Sequence, residues 1–377
     1  MNTILLHSDR FGSYRYGAGH PMRPFRLQLT FDLISALGII RLPSSEVIEA
    51  RQATDEEILT FHTPEYLKIL KEANSGITPQ DGPIHGLGAG DNPVFPGVYA
   101  FSALYAGGSI QAAEVVASGE ASTAFNISGG LHHATADGAS GFCYINDCVL
   151  AIKRLVAAGK RVIYIDIDAH HGDGVEYAFN DTDQVLTLSI HEDGRWLFPG
   201  TGSVTDIGNN AGRGYSINLP LGPGINDGDY IKAFDEVVPL FVDAFNPDII
   251  VTQLGVDTFA TDPITHMNLT TVSFEHAVRA FQSLNIPWVA LGGGGYDLSN
   301  VARGWTIAWA IMNGIDPPES IPEEFLLKYG SIFQSASLRD MPSHALKEIS
   351  WDGAPTLEKD IRYLKEEVLP LVKDGSR

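Results

Sequence analysis

Cysteine is nearly missing from this chain: Cys143 and Cys148 are the two it has in 377 residues. They supply neither a disulfide framework nor a C-x-x-C metal site, so both are expected to be buried, inert thiols in a reducing cytoplasm. Basic residues are also short, with 25 Lys and Arg against 46 Asp and Glu and a net charge of −21. That deficit excludes direct nucleic-acid binding, which relies on cations neutralising phosphates. Two readings of the acidity stay open: attraction to cationic partners, or plain solubility. No apolar run approaches the roughly 18 residues that span a bilayer, so no membrane contact is expected. The start, MNTILLHSDR, has no basic region leading into a long apolar stretch, and a secretory signal is not expected. Internal repeats, low-complexity tracts and Gly/Ser linkers are lacking too, which favours one domain over residues 1–377.

What is present is an alternation of short apolar runs with helical patterns, in a chain that is 44% hydrophobic. Strands are predicted at Ile4–Leu6, Ala121–Ile127, Val162–Ile167, Val185–Ser189, Tyr215–Leu219, Ile249–Leu254 and Trp288–Leu291. Helices are predicted at Phe25–Leu37, Tyr144–Ala158, Tyr230–Phe245, Ser273–Leu284 and Asn300–Asn313. Thr54 with Glu57 reads as a capping box, and Thr63-Pro64 opens the next helix. This order predicts an α/β fold with a mostly parallel sheet covered on both faces. From about residue 315 to 377 the alternation fades, and peripheral helices are expected there.

The densest chemistry lies in VIYIDIDAHHGDG, Val162 to Gly174. An apolar strand runs into acids and imidazoles, and strand ends are where open α/β sheets place their crevices. Alternation would put Asp166, Asp168 and His170 on one side and His171 on the other. An acidic solvated loop is the bland alternative, but it needs neither the hydrophobic run nor paired histidines. Three further clusters follow predicted strands: GGLHHA with His132 and His133, QLGVDT with Asp257, and LGGGGYD with Tyr296.

Asp168, His170 and Asp257 offer one imidazole and two carboxylates, a suitable set for a divalent metal with an open position. Two anionic ligands cancel the 2+ charge and should acidify water less than three histidines would. A neighbouring base is then wanted, and the histidine pair provides it, with Asp166 and Asp173 accepting the second N–H of each ring. The competing reading is a pair of core histidines satisfied by carbonyls. Tyr296 can polarise a carbonyl oxygen. Its glycines let the backbone pass close, and they lack the Lys-Ser/Thr of a phosphate-binding P-loop.

The runs GGLHHA, GFCYIND, YIDIDAHHGDG, FPGTG, QLGVDT and LGGGGY, in that order, resemble the histone deacetylase superfamily. The likeness runs from Tyr16–Arg26 to Ala302–Thr306 and is greatest to class I-like bacterial deacetylases of acetoin utilisation. It implies a single-domain arginase/deacetylase fold around an eight-stranded sheet. It implies zinc on Asp168, His170 and Asp257, with ferrous iron suited to the same ligands. His133 matches the general base and His132 its electrostatic partner. Asp166 backs His132, Asp173 backs His133, and Tyr296 binds the amide carbonyl. Phe142 and Phe198 match the walls of a lysine tunnel, with the Gly141 carbonyl facing the substrate, Asp91 and Ile264 at the rim, and Arg26 in an internal channel for acetate. Potassium (K+) would sit at Asp166, Asp168, His170, Ser189 and Ile190, and at a second set near Phe179, Thr182, Val185 and Tyr215. The chain departs from many class I relatives at Leu197, where they carry a second rim aromatic, and at Leu131; both bear on substrate preference. His171 receives no role.

The expected activity is hydrolysis of N-ε-acetyl-lysine in an acetylated protein, with acetyl-CoA synthetase the substrate that the acetoin-utilisation likeness implies. Acetylpolyamine deacetylation is the rival within the fold, although Thr261–Ile264 offers no acidic gate beyond Asp262. A non-catalytic acyl-lysine scaffold would require a lost ligand or tyrosine, and neither is lost. Arginase-type chemistry would require further bridging carboxylates.

Overall fold

The computed structural model describes residues 2–88, 90–340, 349 and 352–375. An eight-stranded sheet in the order β2-β1-β3-β8-β7-β4-β5-β6 forms its centre. The strands are β1 Thr3–His7, β2 Ser45–Glu49, β3 Thr123–Asn126, β4 Val162–Asp166, β5 Val185–Glu192, β6 Ser216–Leu221, β7 Ile249–Gln253 and β8 Trp288–Leu291. Every pairing is parallel. Helices α1 Phe25–Ala36, α2 Asp55–Ile58, α3 Pro64–Ala73, α4 Val98–Ala117, α5 Asp147–Ala157 and α6 Asp173–Phe179 belong to the first half. They are followed by α7 Asp227–Phe245, α8 Thr271–Ser283, α9 Leu298–Met312, α10 Glu323–Tyr329, α11 Ala354–Tyr363 and α12 Leu369–Gly375.

Parallel strands are joined by crossovers that cover both faces, so their side chains are buried on both sides. The inner strands show this directly. Ile163 and Ile165 of β4 enter one hydrophobic cluster with α1, α7, α8 and α9, while Val162 and Tyr164 enter a second with α4, α5 and α6. The period of two in the strand thus becomes two cores on either side of one sheet. Thr54 caps α2 through a reciprocal bond with Glu57, and Thr63 caps α3 with Pro64 in its first turn, as the sequence predicts.

Three elements were not predicted from pattern: β2, α4 and the short helix α6. Strand β2 reads SEVIE and is largely exposed at the sheet edge, so it lacks the apolar signature of a buried strand. Helix α4 is buried nearly all round and rich in Ala and Gly, so its apolar residues mark no face. Strand β4 ends at Asp166 rather than Ile167. Beyond residue 315 lie α10, α11 and α12, the last two packed against α7; residues 341–348, 350–351 and 376–377 of that expected helical segment lie outside the described residues.

Amide exchange should separate the two kinds of strand. Backbone N–H groups of β4, buried throughout, are expected to be protected at least about a hundredfold more than those of exposed β2, read by hydrogen exchange with mass spectrometry. Equal protection would contradict the assigned strand order.

Candidate active site

The loops after β3, β8, β7 and β4 carry the candidate residues, and these strands are consecutive neighbours in the sheet. His132 and His133 follow β3, Tyr296 follows β8, Asp257 follows β7, and Asp168 and His170 follow β4. Convergence is therefore a matter of topology: side chains 164 residues apart in sequence meet on one rim.

The Asp168, His170 and Asp257 ligand atoms lie within 4.8 Å of one another, and all three residues are buried. Nδ1 of His170 is 3.0 Å from Oδ1 of Asp168 and 3.0 Å from Oδ2 of Asp257. Ligand atoms around a tetrahedral zinc stand roughly 3.3 Å apart, so the spacing suits a single small dication. The carboxylates are also oriented from behind. Oδ2 of Asp168 accepts from Gln253 Nε2 at 2.6 Å and from the Gly294 N–H at 2.7 Å. Oδ1 of Asp257 accepts the Ala169 N–H at 2.9 Å. Without a cation, burial opposes charge on all three, and the two acids compensate by holding the His170 pKa well above its usual range. Burial and the charge of Asp168 push Asp257 up to about 6. Among the described residues this is the one group of three or more such side chains with metal-ligand spacing.

Beside it, each ring of the histidine pair is held by a carboxylate. Nδ1 of His132 is 2.7 Å from Asp166 Oδ2, Nδ1 of His133 is 2.7 Å from Asp173 Oδ1, and the two Nε2 atoms are 3.0 Å apart. Burial alone would lower the His132 pKa, but Asp166, Asp168 and Asp173 outweigh it and raise it to about 9. Burial and the charge of His132 bring His133 down to about 4, only partly offset by Asp173. One proton then serves the pair and leaves His133 neutral, its unprotonated Nε2 facing the Nε2–H of His132 at 3.0 Å. A dication at the neighbouring cluster would lower both values.

Gly141 and Gly294 mark where backbone must pass close. Gly141 has φ +48°, and a Cβ there would lie 2.4 Å from the His133 ring. A Cβ on Gly294 would lie 2.1 Å from Asp257 Oδ2. The Phe142 ring stands edge-on to Tyr296 at 5.5 Å, and Phe198 stands edge-on to His133 at 5.0 Å, so an aromatic ring lies against each of these two side chains. Ile264 is half-buried at the rim, and Asp91 is exposed with its carbonyl bonded by His20. Arg26 is buried and donates to the Gly293 and Gly295 carbonyls at 2.8 Å each, which ties the glycine loop below Tyr296 to α1. Asp166 and Ser189 are register partners across β4 and β5; Phe179, Thr182 and Val185 line one shared cavity, and the Tyr215 carbonyl accepts the Thr187 N–H.

The strand alternation expected through His170 stops at Asp166, yet Asp168 and His170 still share a side because the turn brings them back together. His171 points elsewhere, to Thr201 Oγ1 at 2.9 Å and Glu176 Oε2 at 3.1 Å. Sequence reasoning missed Gln253, Tyr164, Asp147 and Asp262. Tyr164 donates to Asp166 at 2.6 Å, and Asp147 accepts the Gly130 and Leu131 N–H groups beneath the histidines. Asp262 accepts the Tyr296 N–H, and burial together with Asp257 pushes it up to about 8. A polar residue inside an apolar strand, as Gln253 is in IIVTQ, was the available signal for the first of these.

A carboxylate–imidazole cluster with a backed histidine and a tyrosine close by suits metal-assisted hydrolysis. Residues 20–312 match the histone deacetylase domain. The chain is 39% identical to the acetoin utilization protein AcuC of Bacillus subtilis over 87% of its own length and 86% of that protein's. It is 40% identical to histone deacetylase RPD3 of Saccharomyces cerevisiae, covering 85% and 74%, and 39% identical to histone deacetylase 1 of Homo sapiens, covering 84% and 66%. The chain belongs to the histone deacetylase family. It is a hydrolase acting on acetyl-lysine, built on the α/β arginase/deacetylase fold.

Replacing Gly294 by alanine should disturb the cluster from its back. The added Cβ falls on Asp257 Oδ2, and metal affinity is expected to drop about ten- to hundredfold, read as metal retained after dialysis against a graded chelator. Unchanged retention would show that this backbone does not set the ligand positions.

Proposed function

We propose that the chain is a zinc-dependent deacetylase that releases acetate from N-ε-acetyl-lysine in proteins, with residues 1–377 acting as one catalytic domain. The observation that carries this is His133, backed by Asp173 and set beside the buried Asp168, His170 and Asp257 cluster. A dication held by those three residues would polarise the amide carbonyl and acidify water, with zinc and ferrous iron both suited to the N/O donors.

The protein's own groups do the rest. Tyr296 O–H donates to the amide oxygen as negative charge builds on it; burial and the charges of Asp257 and Asp168 raise the tyrosine's pKa, so it keeps that proton. His133 Nε2 takes a proton from the attacking water and later passes one to the departing lysine amine. His132, charged against Asp166, acts through its field rather than as the base. Phe142 and Phe198 exclude water and fit the uncharged aliphatic stem of acetyl-lysine. The Gly141 carbonyl, Asp91 and Ile264 border the substrate, and Arg26 lines the inner route for acetate. Potassium on the carbonyl-rich sets named above would act as a structural ion.

The substrate is proposed to be an acetylated protein, with acetyl-CoA synthetase the first candidate because of the likeness to AcuC. A cytoplasmic setting suits the two buried free thiols. Acetylpolyamine cleavage has less support, because Asp262 is buried with both oxygens on backbone N–H groups and offers no exposed gate to a polycation. Paired-manganese chemistry has less still, with one ligand cluster among the described residues.

Acetate release from acetyl-lysine peptides tests the assignment. His133→Ala is expected to lower kcat about 10²- to 10⁴-fold and Tyr296→Phe about 10²- to 10³-fold. Chelation should abolish the wild-type rate and added Zn2+ restore it. Equal rates in wild type and both variants would sink the mechanism.

A further inference from the structure

Beside Tyr296 runs a groove of about 810 Å³ between residues 15–25 and the Pro263–Ile264 turn. Tyr296, Tyr16, His20 and Ile264 are among the residues that line it. Two arginines, Arg15 and Arg23, stand on it, both exposed. Their surroundings are unusual for this chain. With acids outnumbering bases nearly two to one, many of its cations stand against carboxylates, as Arg51 does with Glu57, Arg154 with Glu114, and Arg339 with Glu275. Arg15 instead donates to the Gly12 and Tyr14 carbonyls, at 2.6 and 2.7 Å, and Arg23 donates to the Tyr296 carbonyl at 3.2 Å. Among the described residues neither has a carboxylate within ion-pair distance. Carbonyl bonds fix where a guanidinium sits without cancelling its charge, so the groove keeps a local positive potential.

The acids nearby do not alter that. Asp262 turns both oxygens onto the backbone N–H groups of Ile264 and Tyr296 and is buried. The exposed acid on this rim, Asp91, is reached across His20, whose Nε2 bonds the Asp91 carbonyl at 3.2 Å. His20 in turn stands edge-on to Phe142 at 4.7 Å. The rim is therefore polarised, acidic on the Asp91 side of His20 and basic on the Arg15 and Arg23 side.

We propose that this groove binds acidic residues of the substrate polypeptide next to the acetylated lysine, so that the enzyme prefers acetyl-lysine sites flanked by Asp or Glu. The inference rests on the deacetylase reading and specifies its substrate class. A lysine stem that enters beside Tyr296 leaves its flanking residues on the surface, where the groove begins. A planar guanidinium meets a carboxylate with two parallel N–H donors, which gives the groove directional selectivity as well as charge. The preference opposes the one that the overall charge of −21 would give.

The test uses the intact, metal-loaded protein and acetyl-lysine peptides that differ only in whether the flanking positions are Glu, Gln or Lys. Exposed ion pairs are individually weak, so at low salt the Glu peptide is expected to exceed the Gln peptide in kcat/KM by about three- to tenfold. The ratio should fall towards one near 0.5 M salt, roughly where screening removes exposed pairs. Arg15→Gln is expected to cut the Glu preference at least about twofold and leave turnover of the Gln peptide unchanged; Arg15→Lys should keep most of the preference. A preference for the Lys peptide, or a Glu preference untouched by Arg15→Gln, would overturn the proposal while leaving the deacetylase reading intact. Absence of turnover on every peptide, the Gln peptide included, would overturn the deacetylase reading and this proposal with it.

Discussion

The carboxylate of Asp168 ties three strand ends into one site. It leaves β4, receives the Gln253 amide from β7 and the Gly294 N–H from the loop after β8, and faces the ring of His170 with its other oxygen. A buried carboxylate is costly unless its lone pairs are filled, and here the fillers come from separate chain segments. The acid therefore cannot be satisfied until β4, β7 and β8 are in register. That couples the geometry of the candidate metal ligands to the parallel pairing of the sheet, and it explains why Gln253, which bonds Asp168 directly, belongs to the site.

The histidine pair shows how two identical neighbours acquire different chemistry. Asp166 is fully buried and also takes the Tyr164 hydroxyl, which fixes its carboxylate at the end of β4. The ring it backs carries the extra proton. Asp173 opens α6 and shares its Oδ1 with the Gly174 N–H, and the ring it backs lies next to an already charged partner and stays neutral. Asymmetry thus comes from repulsion between adjacent imidazoles as much as from their acids. Asp147, burial of which pushes it up to about 6, anchors the glycine turn that presents both rings.

Much of this was legible in the sequence because the candidate residues sit at the ends of apolar strands, and strands announce themselves. Asp168, His170, Asp257, His133 and Tyr296 each follow such a run, and the motif order identified the family. The supporting residues were not legible for physical reasons. Gln253 closes β7 after Thr252 and Tyr164 sits within β4, both fully packed positions where pattern registers only burial. Asp262 and Asp147 act on backbone N–H groups brought near by tertiary packing, and no local spacing encodes that. Helix α4, buried on nearly all sides, has no polar face to give it a period, and the exposed edge of β2 has no apolar one.

Charge works on two length scales in this molecule, and the distinction matters for what reaches the site. The surplus of acids sets the field felt from afar, which at physiological salt decays over about 8 Å. Within that distance a partner meets particular groups instead of the average. At the groove those are Arg15 and Arg23, whose charges are oriented by carbonyls and left without a counter-ion among the described residues. An acidic segment would be repelled on approach and held on contact, whereas a basic one would be drawn in and meet the two arginines. Selectivity of that kind acts through dissociation more than through encounter, because the long-range term and the contact term have opposite signs.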